Sequence, residues 1–301
     1  MAQVTAALVK ELRQKTGVGM MECKKALAEN DADMEKAIVW LRERGLSRAA
    51  KKSGRTTAEG IVSVLTSEDN KTGVLVELNT ETDFAAKNEE FQSFVAQVTK
   101  TALGAKVASA AQLSETTLDG GSETVGAALT ALIAKVGENM TLRRAVTLSA
   151  ETGSVVGYSH MGGKIGTLVR LEGGDPATNL EVGRDVAMHA AAAAPRYLKS
   201  DEVDPEEVKQ EEEIGRKKLL EEGKPADKVE MILKGQIGKF FKEICLLDQP
   251  FVKEPKKSVT AYLKEAGKGA EVVQYARFQL GEGVEKKEEN FAEEVAKQLQ
   301  K

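Results

Sequence analysis

The sequence predicts an α+β protein assembled from several pieces, and three observations carry that prediction. Apolar residues recur at helical spacing through the first 45 residues; a hairpin-like strand pattern then occurs twice, each time followed by a helical stretch; and a long charged helical segment precedes a last strand.

The opening stretch reads as three short helices. Val4, Leu8 and Leu12 are spaced by four before a stop at Gly17, and Met20, Cys23 and Leu27 follow at i, i+3, i+7 before Asn30. Asp33 has the right chemistry to cap a third helix, whose stripe of Met34, Ala37, Ile38 and Leu41 is expected to end at Gly45. So few apolar residues make a small core, which predicts a mini-domain that docks on something larger. A basic run follows, with Arg42, Arg44, Arg48, Lys51, Lys52 and Arg55. It suits either a solvated helix end and linker or a contact with phosphate.

From Glu59 the pattern changes. EGIVSVLTSEDNKTGVLVEL and GSVVGYSHMGGKIGTLVRLEG share a layout of apolar strand, polar turn, second strand, loop and helix, so two hairpin-plus-helix units are predicted. The first unit continues through a helix bearing Phe91, Phe94, Val95 and Val98, and a further helix carries Val125, Leu129, Leu132, Ile133 and Val136. The second continues through a helix from about Leu180 to Ala194, stopped at Pro195. Between Asp204 and Glu243 a charged segment is broken by EEGKPAD, a turn signal that predicts two antiparallel helices. The second helix has a stripe of Val229, Leu233, Ile237 and Phe240, while the first is charged almost all round and suits a projecting arm, a surface for another subunit, or a plain solvent-facing hairpin. EVVQYARFQLGEG, Glu271 to Gly283, returns to strand, and after a charged linker Phe291, Val295 and Leu299 predict a closing amphipathic helix.

One connection stands out. GVLVELN, Gly73 to Asn79, alternates as a half-buried strand does, and the helix of Phe91 lies beyond TETDFAAKNEEF, so Asp83 and Phe84 fall between the two. Connections run over the surface, where a large ring forgoes the roughly 1.5–3 kcal/mol of burial unless it packs back or meets a partner. Two readings fit these residues: Asp83 caps the next helix with Phe84 folded back as a staple, or Phe84 is a probe aimed at another protein.

Composition narrows the function. Lys plus Arg number 43 against 47 Asp plus Glu, a net charge of −4 that argues against a dedicated nucleic-acid binder. Cys23 and Cys245 lie too far apart in sequence for a redox or metal pair and fit a reducing cytosol. No apolar run approaches the roughly 18–20 residues of a membrane span, and the first residues lack the features of a signal peptide, so a cytoplasmic protein is expected. With two histidines, His160 in a polar turn and His189 in an Ala-rich helix, and with no HExxH, GxSxG or Cys/His cluster, nothing indicates catalysis. GGKIG, Gly162 to Gly166, lacks the register of a phosphate loop. No cofactor is expected.

TGVGMMECKKAL, TETDFAAKNEEF, SHMGGKIG, LLDQPFVKEP and RFQLGEGVEKKEENFAEEV, in this order, resemble the motifs of the bacterial translation elongation factor Ts family over essentially the whole chain. That resemblance implies a non-catalytic nucleotide exchange factor for the GTPase elongation factor Tu. It implies a ubiquitin-associated-like helical domain with its basic linker at 1–56, a core N-subdomain at 57–145, a core C-subdomain at 146–283 with the helical arm at 204–243, and a C-terminal helical module at 284–301. It further implies that Asp83 and Phe84, completed by Thr82 and Ala85, intrude beside the partner's Mg²⁺ site, which favours the probe reading. Family members often have valine at the position of Ala85, and the smaller side chain thins the packing behind Phe84. Arg13, Met20, Met21 and Lys24 match partner-facing positions, and His160 matches a core-loop histidine that touches the partner. Beside this stand plainer readings of Met20 as a core residue and His160 as a turn residue. The implied assembly is a 1:1 complex or a dimer of such complexes, with no direct nucleic-acid or membrane contact. The alternatives are an RNA-binding or ribosome-associated module using the basic run, and a hydrolase with an unrecognised carboxylate pair.

Overall fold

The computed structural model describes residues 3–285. It is an α+β protein that opens with helices α1 (Ala6–Thr16), α2 (Met20–Glu29) and α3 (Met34–Lys52). Gly17 ends α1 in the left-handed region at φ 66°, where a side chain would be strained, and Asp33 caps α3 by accepting the amide of Lys36 at 3.0 Å. The three helices share a small core of Val9, Leu12, Cys23, Ala26, Leu27, Ala37 and Leu41. The expected stop at Gly45 is corrected, since α3 runs about two further turns to Lys52 and takes up much of the basic run.

There follow β1 (Glu59–Thr66), β2 (Thr72–Thr80), the short α4 (Asp83–Ala86), α5 (Glu89–Ala105), α6 (Ala110–Glu115), α7 (Val125–Val136) and β3 (Met140–Ser149). β1, β2 and β3 form a three-stranded sheet in that order. The extension of α3 has a packing reason: α3 lies on α7, so close that a Cβ on Gly45 would sit 3.0 Å from that of Ala134. Glycine at 45 therefore permits a close approach of helices and does not end one.

The half-buried reading of GVLVELN is also corrected, because every residue of β2 is buried. A central strand covered on both faces loses the alternation rule, and its polar positions must then find partners inside. Glu77, with no exposed surface, does so. Its carboxylate accepts from Arg143 at 3.0 Å, from Arg144 at 2.6 Å and from the amide of Gly281 at 2.9 Å. The two arginines come from β3, a strand the sequence reading did not find.

β4 (Ser154–His160) and β5 (Ile165–Glu172) form an antiparallel hairpin in register from Ser154 opposite Leu171 to His160 opposite Ile165. α8 (Pro176–Ala193) packs on both strands and ends before Pro195, as expected. α9 (Pro205–Glu221) and α10 (Ala226–Ile244) make the predicted helical hairpin, then β6 (Pro250–Phe251), β7 (Glu254–Ser258) and α11 (Val259–Ala266) lead to β8 (Glu271–Gln279), which joins the sheet in the order β4-β5-β8. The repeated layout of strand, turn, strand and helix is thus present in both places. The hairpin of α9 and α10 has a small cluster of its own, Leu219, Val229 and Leu233, and Ile244, Cys245 and Val203 form another at its root. Leu219 is the one buried residue of α9, which agrees with the charged character of that helix.

The described residues divide into two compact units, one of the residues up to Val62, Val76–Ala145 and those from Gln279 onward, the other of Ser63–Leu75 and Val146–Phe278. Cys23 and Cys245 are both buried and free. No helix among the described residues is long and apolar enough to cross a membrane. The helix expected around Phe291, Val295 and Leu299 lies outside the described residues.

Candidate functional site

The connection after β2 is a single helical turn, α4, and its first cap is Thr82 rather than Asp83. The Thr82 hydroxyl accepts the amide of Ala85 at 3.2 Å, while α5 has a separate cap in Asn88, whose side chain accepts the amide of Glu90 at 2.8 Å. The reading in which Asp83 caps the following helix and Phe84 folds back is therefore corrected. Ala85 and Ala86 face inward and are buried, and Phe84 stands outward with 81% of its surface exposed. Asp83 pairs with Lys87 at 2.7 Å, one turn on, and the Lys87 ammonium lies 6.0 Å from the centre of the Phe84 ring.

The turn is tied down from the α7–β3 connection. Glu138 accepts from the Thr82 amide at 3.1 Å, from the Thr82 hydroxyl at 2.9 and 3.1 Å, and from the Thr80 hydroxyl at 3.3 Å. In return Glu81 accepts the amide of Asn139 at 2.5 Å and pairs with Arg55 at 3.3 Å.

In the N-terminal helices, Arg13 lies in the last turn of α1 and is exposed, as is Lys24. Met20 and Met21, in the first turn of α2, are 52% and 75% exposed, so Met20 is not a core residue. Met20 and Lys24 are four apart and share a helix face. His160 ends β4 and is exposed, with its Nδ1 2.9 Å from the hydroxyl of Tyr158 and the two rings stacked at 5.8 Å. Thr82, Asp83, Phe84 and Ala85 thus form one continuous feature. Arg13, Met20, Met21 and Lys24 lie on α1 and α2, in the same compact unit as that turn, and His160 lies in the other unit.

Comparison with known proteins decides the family. The model of the family Elongation factor TS matches residues 81–282, and that of Elongation factor Ts, mitochondrial, N-terminal, matches residues 1–54. Elongation factor Ts of Clostridium botulinum is 49% identical over 99% of this chain and all of its own length. The proteins of the same name from Clostridium perfringens and Clostridioides difficile are 50% and 49% identical over 98% and 99% of this chain, and over 98% and 100% of their own lengths. The chain belongs to the elongation factor Ts family.

Two features of the chain escaped the sequence reading. Glu138 is one, and its only signal was a carboxylate directly after the Gly137 that ends α7. Glu77 is the other, visible as a lone carboxylate in the apolar run VLVEL. Half of the basic run is engaged within the molecule: Arg44 pairs with Glu22 at 3.2 Å and lies over the Trp40 ring, Lys52 donates to the carbonyl of Gly137, and Arg55 holds Glu81.

Among the described residues no cluster of three or more His, Cys, Asp or Glu side chains is placed to hold a metal ion. His189 is buried in α8, with Nε2 2.9 Å from the Gln249 side-chain oxygen and Nδ1 accepting the amide of Val252 at 3.1 Å. Accepting at Nδ1 places the proton on Nε2 and makes the ring neutral. Burial pushes its pKa below the ordinary 6.5, only partly opposed by the bond to Gln249. The unfolded chain therefore binds this proton first, so the contribution of His189 is complete above the ordinary value and is lost as pH falls below it. Urea midpoints are expected to drop between about pH 7 and about pH 5, with a shallower drop in His189→Gln.

Proposed function

We propose that the chain is the guanine nucleotide exchange factor of translation elongation, which binds GDP-loaded elongation factor Tu, displaces its Mg²⁺ and promotes GDP release so that GTP can bind. The observation that carries this reading is the Phe84 ring, fully presented on a capped and anchored turn with an acidic residue beside it. A ring held in water gains on entering an apolar gap, and where that gap exists only in the displaced state of the partner, the gain favours that state.

Mg²⁺ demands near-octahedral oxygen coordination, so small shifts of its surroundings weaken the nucleotide greatly. In this reading Phe84 is the wedge, Asp83 acts on the donors and oxygens around the metal, and Thr82 and Ala85 hold the pair in place. An exchange factor with equal affinity for the loaded and empty partner would shift nothing. Turning a 1:99 equilibrium into 99:1 takes about 5.5 kcal/mol of differential binding, more than one ring supplies. Further contacts are needed, and Arg13, Met20, Met21, Lys24 and His160 supply them in this proposal. The protein is then a non-catalytic cytoplasmic factor without a cofactor, acting as a 1:1 complex or a dimer of such complexes, with no direct role for nucleic acid.

The test is stopped-flow release of a fluorescent GDP from elongation factor Tu. Addition of this protein at micromolar concentration is expected to speed release many-fold; no acceleration rejects the reading.

A further inference from the structure

We propose that Glu138 is a positioning residue for exchange, acting through Phe84 without touching the partner. The inference rests on the exchange reading above and deepens it.

A lone helical turn cannot hold itself, because nucleation fixes several dihedrals for one hydrogen bond. α4 has four residues, and its most prominent side chain, Phe84, is 81% exposed. Its order must come from outside. Two sources are present, the inward burial of Ala85 and Ala86 and the hydrogen bonds at Thr82. The Thr82 hydroxyl is the hinge of the second. It accepts from Ala85 with its lone pair and donates its proton to Glu138, so the carboxylate fixes the rotamer that makes the cap. The same carboxylate takes the Thr82 amide, which as the cap residue's own N–H has no partner inside the turn.

Bonds to an ionised acceptor are stronger than neutral ones, and three donors converge on Glu138. The reciprocal bond from Asn139 to Glu81 closes the clamp from the other side, so residues 80–82 and 138–139 are bound in both directions. The clamp joins the ends of β2 and β3, which are sheet neighbours, so the turn inherits the rigidity of the sheet. Without Glu138 the ring would sample many orientations, and the ordering would have to occur during the encounter with the partner.

The experiment uses the full chain with GDP-loaded elongation factor Tu and fluorescent GDP, comparing wild type, Glu138→Gln, Glu138→Ala, Phe84→Ala and the Glu138→Ala/Phe84→Ala double variant. Glu138→Ala is expected to lose roughly tenfold of the acceleration and Glu138→Gln less, since one acceptor oxygen remains. The double variant is expected to be no slower than Phe84→Ala alone, because Glu138 works through that ring. Thr82→Val removes the hydroxyl link directly and is expected to match Glu138→Ala, and it carries the test if Glu138→Ala does not fold. Full activity of Glu138→Ala, or a loss that adds in full to that of Phe84→Ala, overturns the positioning role. A wild-type protein that fails to accelerate release takes the exchange reading down with it, whereas an active wild type with a flat response at Glu138 removes this inference alone.

Discussion

Replacing Phe84 with alanine is expected to cut the acceleration of GDP release by roughly tenfold to a hundredfold, with no shift in the urea midpoint. The two halves of that expectation have one cause. A ring that is 81% exposed contributes almost nothing to folding, so its deletion leaves the native state as stable as before. The same ring has most of its burial gain, about 1.5–3 kcal/mol in full, still available for a partner. Phe84→Leu should keep part of the effect, because the gain follows apolar area. A Phe84→Ala protein that unfolds at markedly lower urea would show that the ring packs within its own chain, and one with unchanged exchange would remove it from the mechanism.

Glu77→Ala has the opposite signature. A loss of about 3 kcal/mol of stability is expected in urea unfolding, because the change leaves two arginines and the amide of Gly281 without their common acceptor. The value sits at the low end of the range for broken buried pairs, since Arg143 and Arg144 keep 25% and 28% of their side-chain surface in water. Arg144 also retains Glu282 at 3.2 Å and the carbonyl of Gln279 at 2.9 Å. A loss below about 1 kcal/mol would mean that the arginines rehydrate without penalty.

The elements read well from sequence were those with a period and a punctuation mark. α1 and α2 combine helical spacing with Gly17 and Asn30, and α8 stops before Pro195. β3 was missed because MTLRRAVTLS places two arginines in mid-strand, which reads as surface unless the buried Glu77 of the neighbouring strand is known. β6 and β7 are too short to show a period. Gly45 was misread because a glycine that ends a helix and one that admits a neighbouring helix look alike in one dimension. At the candidate site, the prominence of Phe84 was legible as a bulky residue between two periodic segments. The clamp was not, because it joins residues 56 positions apart and no local pattern encodes that distance.

The buried thiols have a practical meaning. Burial pushes the pKa of Cys245 up to about 11, which starves it of thiolate, and Cys23 is shut inside the three-helix core with its Sγ 3.4 Å from the carbonyl of Val18. Neither native sulfur is expected to compete for an alkylating dye under mild conditions. A single cysteine introduced on an open helix face, such as at Lys239 on α10, would accept a maleimide fluorophore in an otherwise unaltered background, and the encounter with a labelled GTPase could be followed by energy transfer in real time.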